Sequence, residues 1–225
     1  MKRCMGALWA VILLCLATPM PAQAATSSNS VYAICQNQTY ALCASASAFV
    51  YAGISYAKCI IKAGNSISLP PLTYQTPTGQ KNICDMNAAG AANGYMMSTF
   101  SLPDEIRKGG SKALYTCPGG ATAGYAQCDG GTCFKSTTGR YFPGVGKVAA
   151  NEIICSCPIT TPDAKAPVGY QFVGPYPCQQ QAFSACNQTV DNGSIIPVGS
   201  PPGAGRILTQ LLYGQNYVLN ECFSK

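Results

Sequence analysis

Histidine is absent from the 225 residues of this chain, only 8 residues are Asp or Glu, and charged residues make up 10% of the total. Without an imidazole, Ser-His-Asp and Cys-His nucleophile systems, His-ligated zinc, the two-His facial triad and a histidine pH switch are all excluded. The charge content lies far below the roughly 25% of an average soluble domain. Long apolar runs are also missing: beyond the first residues, no segment approaches the roughly 18 to 20 residues that a membrane-spanning helix needs. What the chain has instead is 23 Gly, 16 Pro, 13 Tyr and 14 Cys, a turn-rich and low-charge composition unlike that of a cytosolic enzyme.

The first residues read as a secretory signal. Lys2 and Arg3 form a basic start, Ala7 to Ala17 supply an apolar stretch too short for an anchor, and Ala22-Gln-Ala24 is an Ala-x-Ala cleavage site. The expected signal peptide is residues 1–24, leaving 25–225 as a single disulfide-rich domain in the periplasm, at the outer membrane surface or outside the cell. Leu14 ahead of Cys15 does not fit a lipoprotein cleavage box. Cleavage discards Cys4 and Cys15, and it leaves twelve cysteines: Cys35, Cys43, Cys59, Cys84, Cys117, Cys128, Cys133, Cys155, Cys157, Cys178, Cys186 and Cys222. An even number in an exported chain predicts disulfides, up to six, and no metal. At roughly 200 residues the mature chain can build a real core, so the bridges do not replace one; they brace a turn-heavy fold or harden the protein against proteases and shear.

A cysteine signature recurs. Tyr32-Ala-Ile-Cys35 and Tyr40-Ala-Leu-Cys43 are echoed by Tyr115-Thr-Cys117 and Tyr125-Ala-Gln-Cys128, and again by Tyr176-Pro-Cys178 and Phe183-Ser-Ala-Cys186. This predicts three related subunits over about 31–84, 114–158 and 175–222. Residues eight apart lie about 12 Å apart on a helix and about 26 Å apart on a strand, whereas bridged Cα atoms approach within roughly 7 Å. Within a copy, therefore, either the spacer folds back or each cysteine bonds elsewhere; the turn signals Pro118-Gly-Gly120 and Gly124 make folding back easy in the second copy. Cys155 and Cys157 would share one face of a strand, so each should reach a separate partner.

The local patterns predict a mainly β fold with short helices. Ala48 to Tyr51, a turn near Ala52-Gly53 and Ile54 to Ile61 read as a hairpin, and Val145 to Ile159 as a strand region. Residues 68–77, with three prolines, read as a loop. Arg206 to Tyr213, closed by Gly214, is the best helix; Pro103 to Arg107 is a short one, and Ala88 to Met97 is helix or loop.

The remaining acid/base groups are Asp85, Asp104, Glu105, Asp129, Glu152, Asp163, Asp191 and Glu221. Asp129-Gly-Gly131 and Asp191-Asn-Gly193 read as turns, so Glu152 beside an apolar run is the first candidate if a paired-carboxylate hydrolase exists. Ser55-Tyr-Ala-Lys58 matches a serine acyl-enzyme pattern but falls in a predicted strand and lacks its Lys-Thr-Gly companion. Gly144-Val-Gly146 imitates a dinucleotide loop without a strand feeding it. Cys-x-Cys with Cys133 or Cys128 could make a thiolate zinc site, and Cys155 with Cys157 a redox pair, but export favours disulfides and the spacing is not that of a redox motif. The sequons at Asn37, Asn187 and Asn192 matter only in a eukaryotic secretory pathway, and the signal reads as bacterial.

Tyr32, Tyr40, Tyr115, Tyr125 and Tyr176 are expected to pack on bridges, whereas Tyr51, Tyr56, Tyr95, Tyr170 and Tyr217 are free to face a partner. The expected function is that of a non-enzymatic, exported structural or interaction protein without cofactor, a subunit of a bacterial envelope or surface assembly such as a secretion apparatus or filament. A secreted glycan- or host-surface-binding module is the alternative, and a carboxylate-dependent hydrolase the second. Partners are other protein subunits or further copies of the chain; the positive sign allows an anionic envelope or glycan. Singly scattered Lys and Arg speak against nucleic acid.

Overall fold

The computed structural model describes residues 32–69, 73–102, 113–121, 123–174, 176–214 and 220–224. Strands dominate, joined by short helices and turns, as the local patterns predict. The organising element is the strand Ile54–Ser68, in which Ser55, Ala57 and Cys59 are buried while Ile54, Tyr56, Lys58 and Ile60 face the other way. It pairs antiparallel with Ser47–Tyr51 across the predicted hairpin turn, Tyr51 standing opposite Ile54. Ala52 (φ 51°) and Gly53 (φ 78°) are both left-handed, the type I′ turn whose twist matches that of its flanking strands. Further along, Ala33–Leu42 pairs with the same strand, Leu42 opposite Ile60 and Ala33 opposite Ser68.

The other edge of the long strand takes Glu152–Thr160, which occupies the second half of the predicted 145–159 region. Glu152–Thr160 in turn pairs with Thr132–Phe134, and Thr132–Phe134 with Tyr95–Met97. Ser98, the next residue, bridges Ala41 on Ala33–Leu42. The pairings thus run in a ring, with small and sulfur-bearing side chains inside: Ala41, Ala48, Ala57, Val50, Ile153 and six half-cystines.

A second sheet, in the order Gly199–Ser200, Val168–Gly174, Ala113–Pro118, Asn220–Phe223, carries an aromatic core; its last strand joins in parallel. Tyr115 stacks on Phe172 with ring centroids 5.1 Å apart and meets Phe183 edge-on at 5.5 Å, and Tyr125 stacks on Tyr170 at 4.7 Å.

The stretch read as helix or loop resolves into a helix, Ile83–Asn93, followed by the strand Tyr95–Met97. The two glycines that weakened the helical pattern both have positional roles. Gly94 (φ 77°) caps the helix, and a Cβ on Gly90 would sit 2.5 Å from the Tyr95 carbonyl oxygen, so only glycine lets the chain turn back there. Buried Asn87 fixes the helix to the sheet, donating to Gln38 Oε1 and the Thr39 carbonyl, both at 2.8 Å, and accepting from the Met97 amide. The expected 68–77 loop is corrected in part: Thr73–Thr76 pairs with Gly79–Asn82, its Thr and Tyr favouring extended backbone. The C-terminal helix is Ala204–Tyr213, closed by Gly214 (φ 67°). The expected signal peptide, the helix at Pro103 to Arg107 and Tyr217 lie outside the described residues, and among the described residues no helix is long and apolar enough to cross a membrane.

Candidate functional site

All twelve cysteines pair. The bridges are Cys35–Cys84, Cys43–Cys59, Cys117–Cys186, Cys128–Cys157, Cys133–Cys155 and Cys178–Cys222. No signature copy closes on itself; the loop closure that looked easy for Cys117 and Cys128 is replaced by bonds to Cys186, in the 3-10 turn Gln180–Asn187, and to Cys157, on the strand that pairs with Tyr125–Ala126. Cys155 and Cys157 do share the buried face of Glu152–Thr160, and each reaches a separate partner. The three copies sit on three different backbones: a strand, two strands joined by a turn, and the 3-10 turn Gln180–Asn187.

Three bridges fill the ring interior, and the sulfurs of Cys43, Cys59 and Cys155 lie within 4.8 Å of one another. As free thiolates such a group would suit a soft metal, but each of these sulfurs is committed to a disulfide, which removes its anionic donor. Of the twelve, only Cys178 is exposed.

The sequence motifs separate. Ser55 is buried, its hydroxyl donating 2.8 Å to the Cys157 carbonyl, whereas Lys58 is on the opposite face of the same strand, so no Ser–Lys dyad forms. Gly144 lies in the turn between Tyr141–Phe142 and Gly146–Lys147, and Gly146 opens the second of these strands. Glu152 lies 3.8 Å from Lys58 Nζ and accepts from the Ala149 amide at 2.8 Å, both local tasks. Glu221 pairs with Arg206 at 2.6 Å, and Asp163 accepts from the Lys165 amide in a tight turn. Asp104 and Glu105 lie outside the described residues.

Asp129 does more than its turn position suggested. Its carboxylate accepts from Ser68 Oγ at 2.5 Å and from the Leu69 amide at 2.8 Å, while Tyr74 donates to the neighbouring Gly130 carbonyl at 2.9 Å. This latches the end of the long strand and the small 73–82 hairpin onto one turn. Burial pushes the Asp129 carboxyl up to about 6, outweighing the two hydrogen bonds that favour its charge, and burial with the nearby Asp129 charge pushes Tyr74 up to about 12. Because the folded value lies above the usual 3.8, the contribution to stability is full below about pH 4 and is lost as pH rises through about 6. Allowing for partial solvent contact, urea unfolding should show the wild type losing about 2 kcal/mol between those limits relative to Asp129→Asn. Parallel pH profiles of the two proteins would contradict the assignment.

The signature tyrosines are mostly core, as expected: Tyr40, Tyr115 and Tyr125 are buried, although Tyr32 is half-buried and Tyr176 exposed. Tyr170 is a correction. It is fully buried, donating to the Ala185 carbonyl at 2.9 Å, because it alternates with Phe172 on the inward face of its strand. Tyr51 is 57% exposed, and Tyr56 and Tyr95 are half-buried.

Apolar groups meet solvent on the outward face of the main sheet and, at Val168, Tyr176, Ile207 and Phe223, around the second sheet. Strand register places Ile195, Phe49 and Tyr56 in one row and Tyr51 beside Ile54 at the hairpin tip. The turn at residues 143–145 leans over this face, for a Cβ on Gly144 would stand 2.4 Å from Ile195 Cδ1 and 2.8 Å from Phe49 Cδ2. Exposed on this sheet are Tyr51, Ile54 and Ile195 at the tip, Ile60 and Phe134 farther along, and Tyr141, 75% exposed, on the covering hairpin. The tip is held firmly: Asn192 Oδ1 accepts from the Ala52 amide at 2.9 Å, and Val50 exchanges backbone hydrogen bonds with Gly193 and Ser194. Nothing in the local sequence announced this grouping, since Ile195 reaches Phe49 only through the register of a distant strand. Elsewhere an uncharged open cleft of about 390 Å³ lies between Gly124, Ile159, Thr161 and Asn187 to Val190. Comparison with protein-family models, with curated proteins and with solved structures finds no match for this chain.

Proposed function

We propose that the protein is an exported, non-enzymatic subunit of a bacterial envelope or surface assembly that binds a protein partner through the apolar tip of its main sheet. The observation that carries this reading is the pairing of a rigid, disulfide-filled inner face with the exposed Tyr51, Ile54 and Ile195 on the outer one. Large aromatic and aliphatic groups on a preorganised surface lose little conformational freedom on docking, the property of interface anchors. The partner is another protein subunit or a further copy of the chain.

Native purification from the envelope tests the reading. The wild type is expected to co-purify with a partner or as an oligomer, and Tyr51→Asp combined with Ile54→Asp to abolish this at an unchanged melting temperature, both side chains being exposed. A monomeric wild type without a co-purifying subunit contradicts it.

A further inference from the structure

We infer that the hairpin 141–147 and the adjoining flank of the long strand form a second docking surface, which takes a linear anionic polysaccharide. It goes beyond the apolar tip and does not depend on it.

A chain of contacts joins the surface. Glu152 faces Ile60 across the sheet, approaches Lys58 at 3.8 Å and accepts from the Ala149 amide at 2.8 Å. Val148 donates to the Arg140 carbonyl at 2.9 Å, and one step on Tyr141 stands opposite Lys147. Lys58, Ile60 and Lys62 alternate along one side of the long strand. Four cations, Lys58, Lys62, Arg140 and Lys147, are carried on these elements, and the carboxylate among them is Glu152, which lies 3.8 Å from Lys58 and accepts from the Ala149 amide. The other described acids sit on other elements: Asp85 is in the first turn of the helix Ile83–Asn93, Asp129 is latched to Ser68, Glu221 is paired with Arg206, and Asp163 and Asp191 occupy other turns.

The chemistry of the partner follows from charge and shape. An excess of spaced cations attracts a polyanion, and cations four residues apart on a strand stand about 13 Å apart, which suits charges repeated along a flexible polymer. A protein interface would need a charge-poor apolar centre, and this flank has few exposed apolar groups, chiefly the Tyr141 ring and Ile60. The Tyr141 ring, open on the hairpin, can stack on the apolar face of a sugar while Lys147 beside it takes the acidic group.

The test uses the mature full-length protein with polygalacturonate as polyanion and dextran as neutral control. The wild type is expected to bind polygalacturonate and not dextran, with affinity falling about tenfold or more from about 50 to about 200 mM salt. Arg140→Gln with Lys147→Gln should weaken binding by about tenfold, and Tyr141→Ala should weaken it at unchanged salt dependence. Lys58→Gln with Lys62→Gln, on the rigid strand, gives the same loss should the hairpin variant fail to fold. Tyr51→Asp with Ile54→Asp should bind the polymer like the wild type, which separates failure of this inference from failure of the tip reading. Equal binding to polygalacturonate and dextran, undiminished binding by both charge variants, or equal competition by anionic phospholipid vesicles or single-stranded DNA would overturn it.

Discussion

Replacing Cys133 alone with Ala is expected to yield scrambled disulfides, whereas replacing Cys133 and Cys155 together yields a single, less stable species. The single change leaves the Cys155 thiol with its sulfur within 4.8 Å of both sulfurs of the Cys43–Cys59 bridge. A thiolate there attacks that bridge; one S–S bond forms, one breaks, and Cys43 or Cys59 is released as the new thiol. Under oxidising conditions the scrambled bridges are not reduced back, and the released thiol remains a source of further exchange. The double change removes the attacking group and loses only the constraint on a 22-residue separation, about 3 kcal/mol in urea unfolding. Non-reducing peptide mapping distinguishes the two: bridges joining Cys155 to Cys43 or Cys59 are expected in the single variant and absent from the double. Native pairing of the five remaining bridges in the single variant would show that the buried sulfurs do not exchange.

Tyr115→Ala should be the most damaging non-cysteine substitution of the second sheet. Its ring is fully buried, stacked on Phe172, edge-on to Phe183 and 5.8 Å from Tyr176, and its hydroxyl donates to the Pro177 carbonyl at 2.8 Å while accepting from the Gln179 amide at 3.2 Å. Truncation opens a cavity beside the Cys117–Cys186 bridge and should cost about 4 kcal/mol. Tyr115→Phe keeps the packing but strands a carbonyl and an amide, for about 1 to 2 kcal/mol. Thermal unfolding should rank wild type, Phe and Ala in that order; a Phe variant as unstable as Ala would place the stability in the hydroxyl and not the ring.

The local features were legible because their causes are local. Ala52-Gly53 between alternating apolar runs specified the hairpin, and Gly214 the end of the last helix. The bond partners of the cysteines were not, because Cys155 faces Cys133 through strand register, which depends on pairing across long separations. Tyr170 could have been placed inside: Tyr170 and Phe172 alternate on one strand, and that period-two signal outweighs the absence of a neighbouring cysteine. Asp129 was readable as a turn, yet its partners Ser68 and Leu69 come from 60 residues away. The candidate surface was hidden for the same reason: Tyr51 and Ile54 are neighbours in sequence, whereas Ile195 joins them only in the folded sheet.

The most direct measurement is site-specific photo-crosslinking in intact cells, with the photoreactive residue at position 51 on the tip or, as control, at Val168, 38% exposed on the second sheet. A discrete adduct from position 51 and none from position 168 is the predicted result. Identical adducts from both positions, or none from position 51, would contradict association through the outer face of the main sheet.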